Sequence, residues 1–316
     1  MVGMVGAPSP GAGVVGERPW ALVLGASRGI GRECALALAA SGFDVALGAR
    51  TARRDQALLH GLGAEPVALA GSLEETAREA RARGARTLEL ALDLNDEAAC
   101  TAAVEALARR PGGLRCVVNS GVYKGASDLA RVLDLAPHDY RAMVQCNVLT
   151  PLAVFRAALR AMLRQGGAGS LVQVSSSSVG MTPRASVDKG GWDFGYVSTK
   201  AAIAKLMPLL ALEHPPAPGA PDALRFFNVE PGLVVTELMK HKGLSGSYTA
   251  GFGDVPPQVA GAVVAHLCSQ PFAAVSRFNG KSVYAPRLCE ELQLLPGYKE
   301  VTNGYKELAM KATPRL

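Results

Sequence analysis

The chain has 316 residues and is 49% hydrophobic, enough for one large or two small domains with a buried core. Its net charge of +6 comes from scattered basic residues, which disfavours a dedicated nucleic-acid-binding protein, and no uninterrupted apolar run has the length of a membrane helix. The six cysteines form no CxxC pair and the five histidines do not cluster, so we expect reduced core cysteines, a cytoplasmic location and no metal site.

Residues 1–18 are rich in glycine, proline and valine. They lack the charged start and the continuous apolar segment of a secretory signal. The composition therefore predicts a disordered leader that precedes the folded part of the chain.

The first predicted element is a short apolar strand, Trp20–Leu24, that stops at a glycine. The sequence GASRGIG follows at 25–31, and a helical pattern then continues to Gly42. A strand, a glycine turn and a helix in that order are the context of a dinucleotide-binding fingerprint, in which the helix N-terminus meets the pyrophosphate. Because the chain has 35 glycines, an ordinary strand–helix turn is the alternative.

The second predicted strand, residues 44–50, ends without an acidic residue. In NAD-binding proteins a carboxylate near this point holds the ribose 2′-hydroxyl, whereas an arginine accommodates a 2′-phosphate. Arg50 at the strand end and Arg28 in the glycine turn therefore favour NADP over NAD. The connection 55–72 is longer than this unit requires and has no assigned role.

Strands and helices continue to alternate to the end of the chain, without a break in composition and without an internal repeat. Further strands are predicted at 87–94, 114–118, 171–174, 224–229 and 281–284, and further helices at 72–83, 97–109, 138–165, from 196 onward, and at 256–269. This alternation predicts one α/β domain with a doubly wound parallel sheet of seven strands.

Several polar residues follow predicted strands at the edge where ligands bind in open α/β sheets. They are Asp93, Asn119 and the four serines at 175–178. Asn147 interrupts an otherwise apolar helix, where an amide that bonds only to the backbone is an equally good interpretation.

Tyr196 and Lys200 are four positions apart in the sequence YVSTK. On a helix this spacing puts both side chains on one face, so the ammonium of Lys200 lies near the phenol of Tyr196. A nearby cation favours the phenolate and suits a phenol to general acid–base catalysis. Taken alone, the spacing also fits a chance pair on a helix surface.

Together these motifs resemble the classical short-chain dehydrogenase/reductase family over residues 19–286. The matching motifs are GASRGIG at 25–31, Asp93, NSG at 119–121, Asn147, the serines at 175–176, YVSTK at 196–200 and PGLVVT at 231–236. The resemblance implies a Rossmann-type doubly wound fold, a seven-stranded parallel sheet flanked by helices, with NADP(H) as cofactor. It also implies an NADPH-dependent carbonyl reductase, or an alcohol dehydrogenase run in reverse.

The resemblance assigns catalytic roles to four residues. Ser176 would bond the substrate oxygen, Tyr196 would donate its proton, Lys200 would bind the nicotinamide ribose and support Tyr196, and Asn147 would hold a proton-relaying water. The residues expected to bind the cofactor are Gly25, Ser27, Arg28, Gly29, Ile30, Gly31, Arg50, Asp93, Leu94, Asn119, Gly121, Tyr196, Lys200, Pro231, Gly232 and Thr236. Ser177 remains the alternative to Ser176 within the serine run.

The sequence departs from the family pattern at Leu24 and Val118, where the family has threonine and asparagine. The interval between Ser176 and Tyr196 is also long, so residues 181–195, including Trp192 and Phe194, are expected beside the substrate.

The substrate is expected to be a small carbonyl or alcohol compound. The protein is expected to have no nucleic-acid or membrane partner. A lid is expected at about 233–257, and its Met239, Leu244, Tyr248 and Phe252 suggest a hydrophobic substrate. Residues 287–316 form an extension beyond the family core, and a homodimer or homotetramer is expected.

Two alternative functions remain at this point. One is a catalytically silent NADP-binding regulatory or scaffold protein of the same fold. The other is an epimerase or dehydratase of the extended branch, which the GxxxGxG spacing of the glycine turn disfavours.

Overall fold

The computed structural model describes residues 17–58, 66–183, 185–217, 222–241, 243 and 254–300. Most of the predicted leader, the middle of the 55–72 connection, Leu244, Tyr248 and Phe252 of the expected lid, and the last 16 residues lie outside this part.

A single parallel sheet of seven strands forms the centre of the described fold. The strands are β1 (Trp20–Leu24), β2 (Asp44–Ala49), β3 (Thr87–Ala91), β4 (Leu114–Asn119), β5 (Gly169–Val174), β6 (Leu224–Glu230) and β7 (Ser282–Tyr284). Their order is β3-β2-β1-β4-β5-β6-β7, and every neighbouring pair is parallel. The predicted seven-stranded, doubly wound sheet is therefore confirmed. The strand order reverses between β1 and β4, the place where such sheets form a ligand crevice.

Helices cover both faces of the sheet. They are α1 (Gly29–Ala40), α2 (Leu73–Arg81), α3 (Glu97–Ala108), α4 (Pro137–Val144), α5 (Thr150–Arg164), α6 (Phe194–Ala204), α7 (Leu206–Glu213), α8 (Glu237–His241), α9 (Pro257–Ser269), α10 (Phe272–Val275) and α11 (Ala285–Glu291). One apolar core joins the sheet to α1, α2, α9 and α11, and the other joins it to α3, α5 and α7. Burial on both faces explains why the central strand β1 is a continuous apolar run, whereas the edge strand β3 is partly exposed and contains Glu89.

Glycine allows α1 and α9 to pack closely. A Cβ atom at Gly261 would lie 2.6 Å from the backbone oxygen of Glu33, so no larger residue fits there without a shift of the helices. The N-terminus of α1 faces the crevice, so this helix contact contributes to fixing the turn in front of it.

The long helical stretch predicted at 138–165 runs from Pro137 to Arg164 and contains one π-helical turn, Gln145–Leu149. By length and composition this stretch could cross a membrane, but half of its most apolar window is buried inside the protein. Val154, Phe155 and Met162 of α5 are fully buried in the core, as in a core helix. The π turn carries Asn147.

Both predicted ends of the domain differ from the structure. Arg18, assigned to the leader, donates hydrogen bonds to the backbone oxygens of Gly84 and Phe43, and so belongs to the folded unit. At the other end, α11 crosses the predicted boundary at 286, and Leu288 and Cys289 are buried in the core. The first part of the predicted extension is therefore part of the domain, because its apolar side chains complete the core beside α9.

All six cysteines are buried and none forms a disulfide, which agrees with their predicted role as core residues. The sulfur atoms of Cys116 and Cys268 approach to 3.7 Å between β4 and α9.

Candidate active site

A cavity of about 450 Å³ opens at the carboxyl ends of the central strands. Its wall is built from the segments that follow β1, β2, β3, β4, β5 and β6, together with the start of α6 and α8. Fourteen of the sixteen predicted cofactor residues line it, namely Gly25, Ser27, Arg28, Gly29, Ile30, Arg50, Asp93, Leu94, Gly121, Tyr196, Lys200, Pro231, Gly232 and Thr236. Ser176 and Ser177 line it as well.

The glycine turn after β1 uses its glycines in different ways. Gly25 has a φ of +80°, and a Cβ there would lie 2.8 Å from the backbone nitrogen of Gly121. Gly29 has a φ of +55° and faces open space. Gly31 does not line the cavity, and a Cβ there would lie 2.2 Å from the backbone oxygen of Gly25. Gly31 therefore lets α1 pack under the turn, whereas Gly25 and Gly29 form the cavity wall.

The N-terminus of α1 is uncapped and faces the cavity. Arg28 occupies the N-cap position without a side-chain hydrogen bond to the helix end, and the first turn holds no acidic residue. The free N–H groups and the partial positive charge of this helix end suit an anion such as a pyrophosphate. The turn thus fits the phosphates of a dinucleotide.

Two guanidinium groups, Arg28 and Arg50, lie at the end of β2 in the same cavity. Burial, and then the charge of Arg50, lower the pKa of Arg28. Two like charges held together at a cavity wall would be stabilised by an anion placed between them. The residues present therefore fit a phosphate group at this point.

Arg28 also explains part of the 55–72 connection, which has no role predicted from the sequence. Its guanidinium donates to the backbone oxygens of Ala70 at 2.9 Å and Gly71 at 3.0 Å, and to the hydroxyl of Thr51 at 3.1 Å. A Cβ at Gly71 would lie 2.6 Å from the backbone oxygen of Ser27, so glycine permits this close approach. The end of the connection thus holds the glycine turn from outside and brings Leu69 to the cavity wall.

Asn119, predicted beside the adenosine ribose, does not line the cavity. Its side chain is 1% exposed and donates to Oε1 of Gln173 on the neighbouring strand at 2.9 Å. The amide therefore crosslinks β4 to β5, and the adjacent Ser120 and Gly121 form the wall.

Tyr196 and Lys200 lie on α6, which begins at Phe194, two residues earlier than the sequence predicts. The ammonium of Lys200 is 5.9 Å from the centre of the Tyr196 ring and donates to the backbone oxygen of Val174 at 2.8 Å. Burial, and then the charge of Lys124, lower the pKa of Lys200 to about 8. The two side chains thus share one end of the cavity, as their spacing predicts.

The serine run offers two hydroxyls to the cavity. Ser176 accepts hydrogen bonds from the hydroxyl of Ser178 at 2.9 Å and from its backbone nitrogen at 3.3 Å. Because Ser176 acts as acceptor in both bonds, its own proton is free to point into the cavity. Ser177 also lines the wall, so both serines remain candidates to bond the substrate oxygen. Of the two, Ser176 has its hydroxyl oxygen held by the hydrogen bonds from Ser178.

Asn147 is 4% exposed and does not line the cavity. Its side-chain oxygen accepts from the backbone nitrogen of Tyr123 at 2.7 Å, and its nitrogen donates to the backbone oxygen of Tyr123 at 2.8 Å. A longer bond of 3.3 Å joins it to the hydroxyl of Thr199 on α6. Two of its three bonds are thus to the backbone, and the third ties the loop after β4 to the helix of Tyr196.

Two charged residues of the wall, Lys124 and Asp193, were not predicted from the sequence. The ammonium of Lys124 is 4.8 Å from the centre of the Tyr196 ring and 3.0 Å from Oδ1 of Asp128. Asp193 is buried, and its carboxylate accepts from the backbone nitrogen of Tyr196 at 2.7 Å. An aspartate directly before a predicted helix is a preferred N-cap residue, and this signal could have identified Asp193.

The expected lid begins beside the cavity. Leu238 and Met239 on α8 line it, together with Thr236. The two described ends of the segment meet, because Val255 donates to the backbone oxygen of Leu233 at 2.8 Å and Val235 donates to Asp254 at 3.0 Å. Residues 254–255 are thus held against residues 233–235, of which Leu233 and Val234 line the cavity.

Of the two aromatic residues in the 181–195 segment, only Trp192 lines the cavity. Phe194 is 49% exposed and packs against Tyr140, with 5.5 Å between the ring centres. The expectation that both shape the pocket is therefore wrong for Phe194, because the start of α6 turns that side chain outward.

Comparison with known proteins agrees with this arrangement. The family model described as "short chain dehydrogenase" matches residues 19–72 and 62–245. An uncharacterised oxidoreductase of Methylorubrum extorquens is 30% identical over 260 residues, which are 79% of this chain and 90% of that protein. A 3-alpha-(or 20-beta)-hydroxysteroid dehydrogenase of Mycobacterium bovis is 28% identical over 69% of this chain and 70% of its own length. The crystal structure of a 3-oxoacyl-[acyl-carrier protein] reductase from Brucella melitensis in complex with NAD superimposes with a TM-score of 0.65. It is 26% identical over 85% of this chain and 96% of that chain.

Proposed function

This chain belongs to the short chain dehydrogenase family of oxidoreductases, and we propose that it is an NADPH-dependent carbonyl reductase with Tyr196 as proton donor. The observation that carries the proposal is the meeting of the Tyr196 phenol and the Lys200 ammonium at one cavity wall. The same cavity holds an uncapped helix N-terminus at its other end, which suits the phosphates of the cofactor.

The cofactor would lie along the carboxyl ends of the strands. Gly25, Ser27 and Gly29 would hold its phosphates, and Arg28 and Arg50 would hold the 2′-phosphate that distinguishes NADPH from NADH. When bound, the nicotinamide supplies the hydride that reduces the carbonyl carbon. Asp93 and Leu94, after β3, would bracket the adenine.

The residues at the other end of the cavity would handle the oxygen of the substrate. The free hydroxyl proton of Ser176 would bond the carbonyl oxygen and stabilise the negative charge that develops there. Tyr196 would then give its proton to that oxygen, and the ammonium of Lys200 would stabilise the phenolate that remains. The bond from Lys200 to Val174 keeps the ammonium in place during this transfer.

The substrate is proposed to carry its carbonyl group on an apolar body. Leu129, Trp192, Leu233 and Met239 line the part of the wall near Tyr196 and the start of the lid. A related hydroxysteroid dehydrogenase acts on a compound of this kind, according to its name. Apolar side chains around a few converging polar groups are the usual composition of a small-molecule site.

A homodimer or homotetramer is also proposed. Leu163 on α5 and Leu209 and Leu212 on α7 are 47%, 53% and 79% exposed. Three leucines exposed on two helices that cover the same face would be buried by a second copy. Light scattering of the purified protein tests this, and a monomer at micromolar concentration contradicts it.

The function is tested by following NADPH absorbance with three probes: a 3-ketosteroid, a 3-oxobutanoyl thioester and ethyl acetoacetate. We expect turnover with at least one probe, and Tyr196→Phe should keep NADPH binding while losing about 10²–10⁴-fold in rate. Tyr140→Phe is the matched control, because Tyr140 contacts Ser198 of the same helix at 3.2 Å and does not line the cavity.

Full activity of Tyr196→Phe contradicts the proton-donor assignment. Binding of NADPH without turnover of any probe favours the catalytically silent protein instead. Equal losses in Tyr196→Phe and Tyr140→Phe indicate damage to α6 and not loss of a proton donor.

A further inference from the structure

The loop after β4 places a second lysine against the ring of Tyr196. The ammonium of Lys124 is 4.8 Å from the ring centre, closer than the 5.9 Å of Lys200. It forms an ion pair of 3.0 Å with Asp128, which is 2% exposed. Two ammonium groups thus lie close to the phenol ring, and that of Lys124 has its own buried counter-ion.

The position of Lys124 is fixed by the structure around its loop. The carboxylate of Asp139 on α4 accepts from the backbone nitrogen of Ser127 at 2.8 Å and from its hydroxyl at 2.6 Å. Asn147 holds both backbone groups of Tyr123, the residue before Lys124. Leu129 has a φ of +64°, a backbone conformation that is unfavourable for a leucine and needs the support of its surroundings.

The two lysines influence each other. Burial alone would lower the pKa of Lys124, but the Asp128 carboxylate and then the Tyr196 phenol raise it above its usual value. Lys124 is therefore charged at neutral pH. Burial first, and the charge of Lys124 second, lower the pKa of Lys200 to about 8.

The other titratable groups around Tyr196 come from three elements. Asp193 caps α6 and acts on Lys124 in the same direction as Asp128. Tyr140 on α4 contacts Ser198 of α6, and the phenol of Tyr123 lines the cavity beside Lys124. Burial, and then the Asp139 carboxylate, raise the pKa of Tyr123, so its phenol carries no charge near neutral pH. The charges that face the Tyr196–Lys200 pair are thus those of Lys124, Asp128 and Asp193.

We propose that Lys124, partly neutralised by Asp128, is a positioning residue that sets the pH range over which the Tyr196–Lys200 pair keeps its transferable proton. The proposal rests on the function proposed above. The proton of this pair that can be followed is that of the Lys200 ammonium, which lies 5.9 Å from the centre of the Tyr196 ring. Loss of a proton removes one positive charge, so a nearby cation promotes it and a nearby anion opposes it.

Opposite shifts in two variants follow from this arrangement. In Lys124→Met the pair should keep its proton to higher pH, by about one pH unit, because a neighbouring cation is gone. In Asp128→Asn the pair should lose its proton at lower pH, because Lys124 then acts without its counter-ion. Lys124→Arg keeps the charge and should resemble the wild type. A residue that only holds the loop in shape would not shift the titration in opposite directions.

The first measurement needs no substrate. Lysine labelled with ¹³C at Cε is incorporated, the Lys200 signal is identified with Lys200→Met, and its chemical shift is followed against pH by NMR. We expect its midpoint to rise in Lys124→Met and to fall in Asp128→Asn. Arg287→Met is the matched control, since Arg287 also pairs with an acid four positions on, Glu291 at 2.7 Å, outside the cavity.

The second measurement is the pH dependence of kcat for NADPH oxidation with the best of the three carbonyl probes. The pH at which the rate declines should move with the NMR midpoint in each variant. Unshifted NMR midpoints in both charge variants overturn the proposal, even when the enzyme turns over normally. If the NMR midpoints shift as expected but the wild type reduces none of the probes, the effect of Lys124 on the pair stands and the proposed function is contradicted instead.

Two further outcomes also contradict the proposal. Shifts in the same direction for Lys124→Met and Asp128→Asn indicate a change of loop structure and not of charge. An increased KM without any shift of the pH dependence assigns Lys124 to substrate binding. If either single variant fails to fold, the other one decides by the direction of its shift, which should be upward for Lys124→Met and downward for Asp128→Asn.

Discussion

Asp193 caps the helix of Tyr196 through a hydrogen bond of 2.7 Å from the backbone nitrogen of Tyr196 to its carboxylate. Asp193 has the extended backbone of an N-cap residue and is 4% exposed. Tyr196 is therefore the third residue of α6, in its first turn, and the cap fixes the backbone that carries the phenol. The cap and the lysines thus act on the same phenol.

Loss of this cap should lower both stability and turnover. Asp193→Ala is expected to reduce the free energy of unfolding by about 1–2 kcal/mol, because the first turn of α6 loses an acceptor. Turnover should fall as well, since Tyr196 belongs to that turn. Asp193→Asn is the matched variant, because asparagine caps about as well as aspartate. Urea unfolding and steady-state rates check this, and equal losses in both variants would assign the effect to the charge of Asp193 and not to the cap.

The sheet and its helices were predictable because their signals are local. Apolar runs that stop at glycine or a polar residue gave all seven strands, and Ser72 caps α2 at the backbone nitrogen of Glu75, as its position before two acids predicts. α6 begins at Phe194 and not at the predicted Tyr196, because Asp193 caps it at the backbone nitrogen of Tyr196. The information was present in the sequence as a capping pattern.

The contacts of Asn119, Asn147 and Lys124 depend on tertiary structure and have no local signal. Asn119 bonds Gln173 because β4 and β5 are neighbours, although 54 positions separate them in the chain. The i, i+4 spacing of Lys124 and Asp128 is visible in the sequence, but their closeness to Tyr196, 72 positions further on (196 − 124), follows only from the folded chain. Motif matching likewise could not distinguish Gly31, which permits packing, from glycines that face the cavity.

The different uses of the glycines can be tested by a pair of alanine substitutions. Gly31→Ala puts a Cβ 2.2 Å from a backbone oxygen, which cannot move without the turn, so we expect a loss of about 3 kcal/mol and weaker NADPH binding. A Cβ at Gly29 would lie within 4 Å of no other atom. Gly29→Ala is therefore strained only by the positive φ, which costs about 1 kcal/mol. Urea unfolding of both variants measures the difference, and equal losses would contradict the packing role of Gly31.

Lys200 should make the stability of the protein without bound cofactor depend on pH. Its pKa is lowered from 10.5 to about 8 in the folded state, so between these values the unfolded chain binds more protons than the folded one. The free energy of unfolding contributed by this group therefore rises with pH across that window, by up to about 1.4 kcal/mol per pH unit. Below pH 8 the full penalty of burying the ammonium is present.

The comparison with Lys200→Met isolates this contribution, because the other titrating groups largely cancel in the difference. Urea unfolding of both proteins from pH 7 to pH 10 should show the wild type gaining roughly 3 kcal/mol relative to the variant. A constant difference across this range would mean that Lys200 titrates as an ordinary lysine. The variant should also lose turnover, so the group that destabilises the fold at neutral pH is one that the proposed reaction requires.

The choice between NADPH and NADH should depend on Arg50 at the end of β2. Arg50→Asp replaces a cation that suits a 2′-phosphate by a carboxylate that suits a ribose 2′-hydroxyl. We expect the ratio of the NADH to the NADPH dissociation constant to fall by about 10- to 100-fold, since a charged hydrogen bond contributes about 1.5–3 kcal/mol. Arg53→Asp makes the same charge change on an exposed neighbour outside the cavity and should leave the ratio unchanged. Quenching of protein fluorescence by each cofactor measures both constants without a substrate, and an equal change in the two variants would attribute the preference to overall charge, not to Arg50.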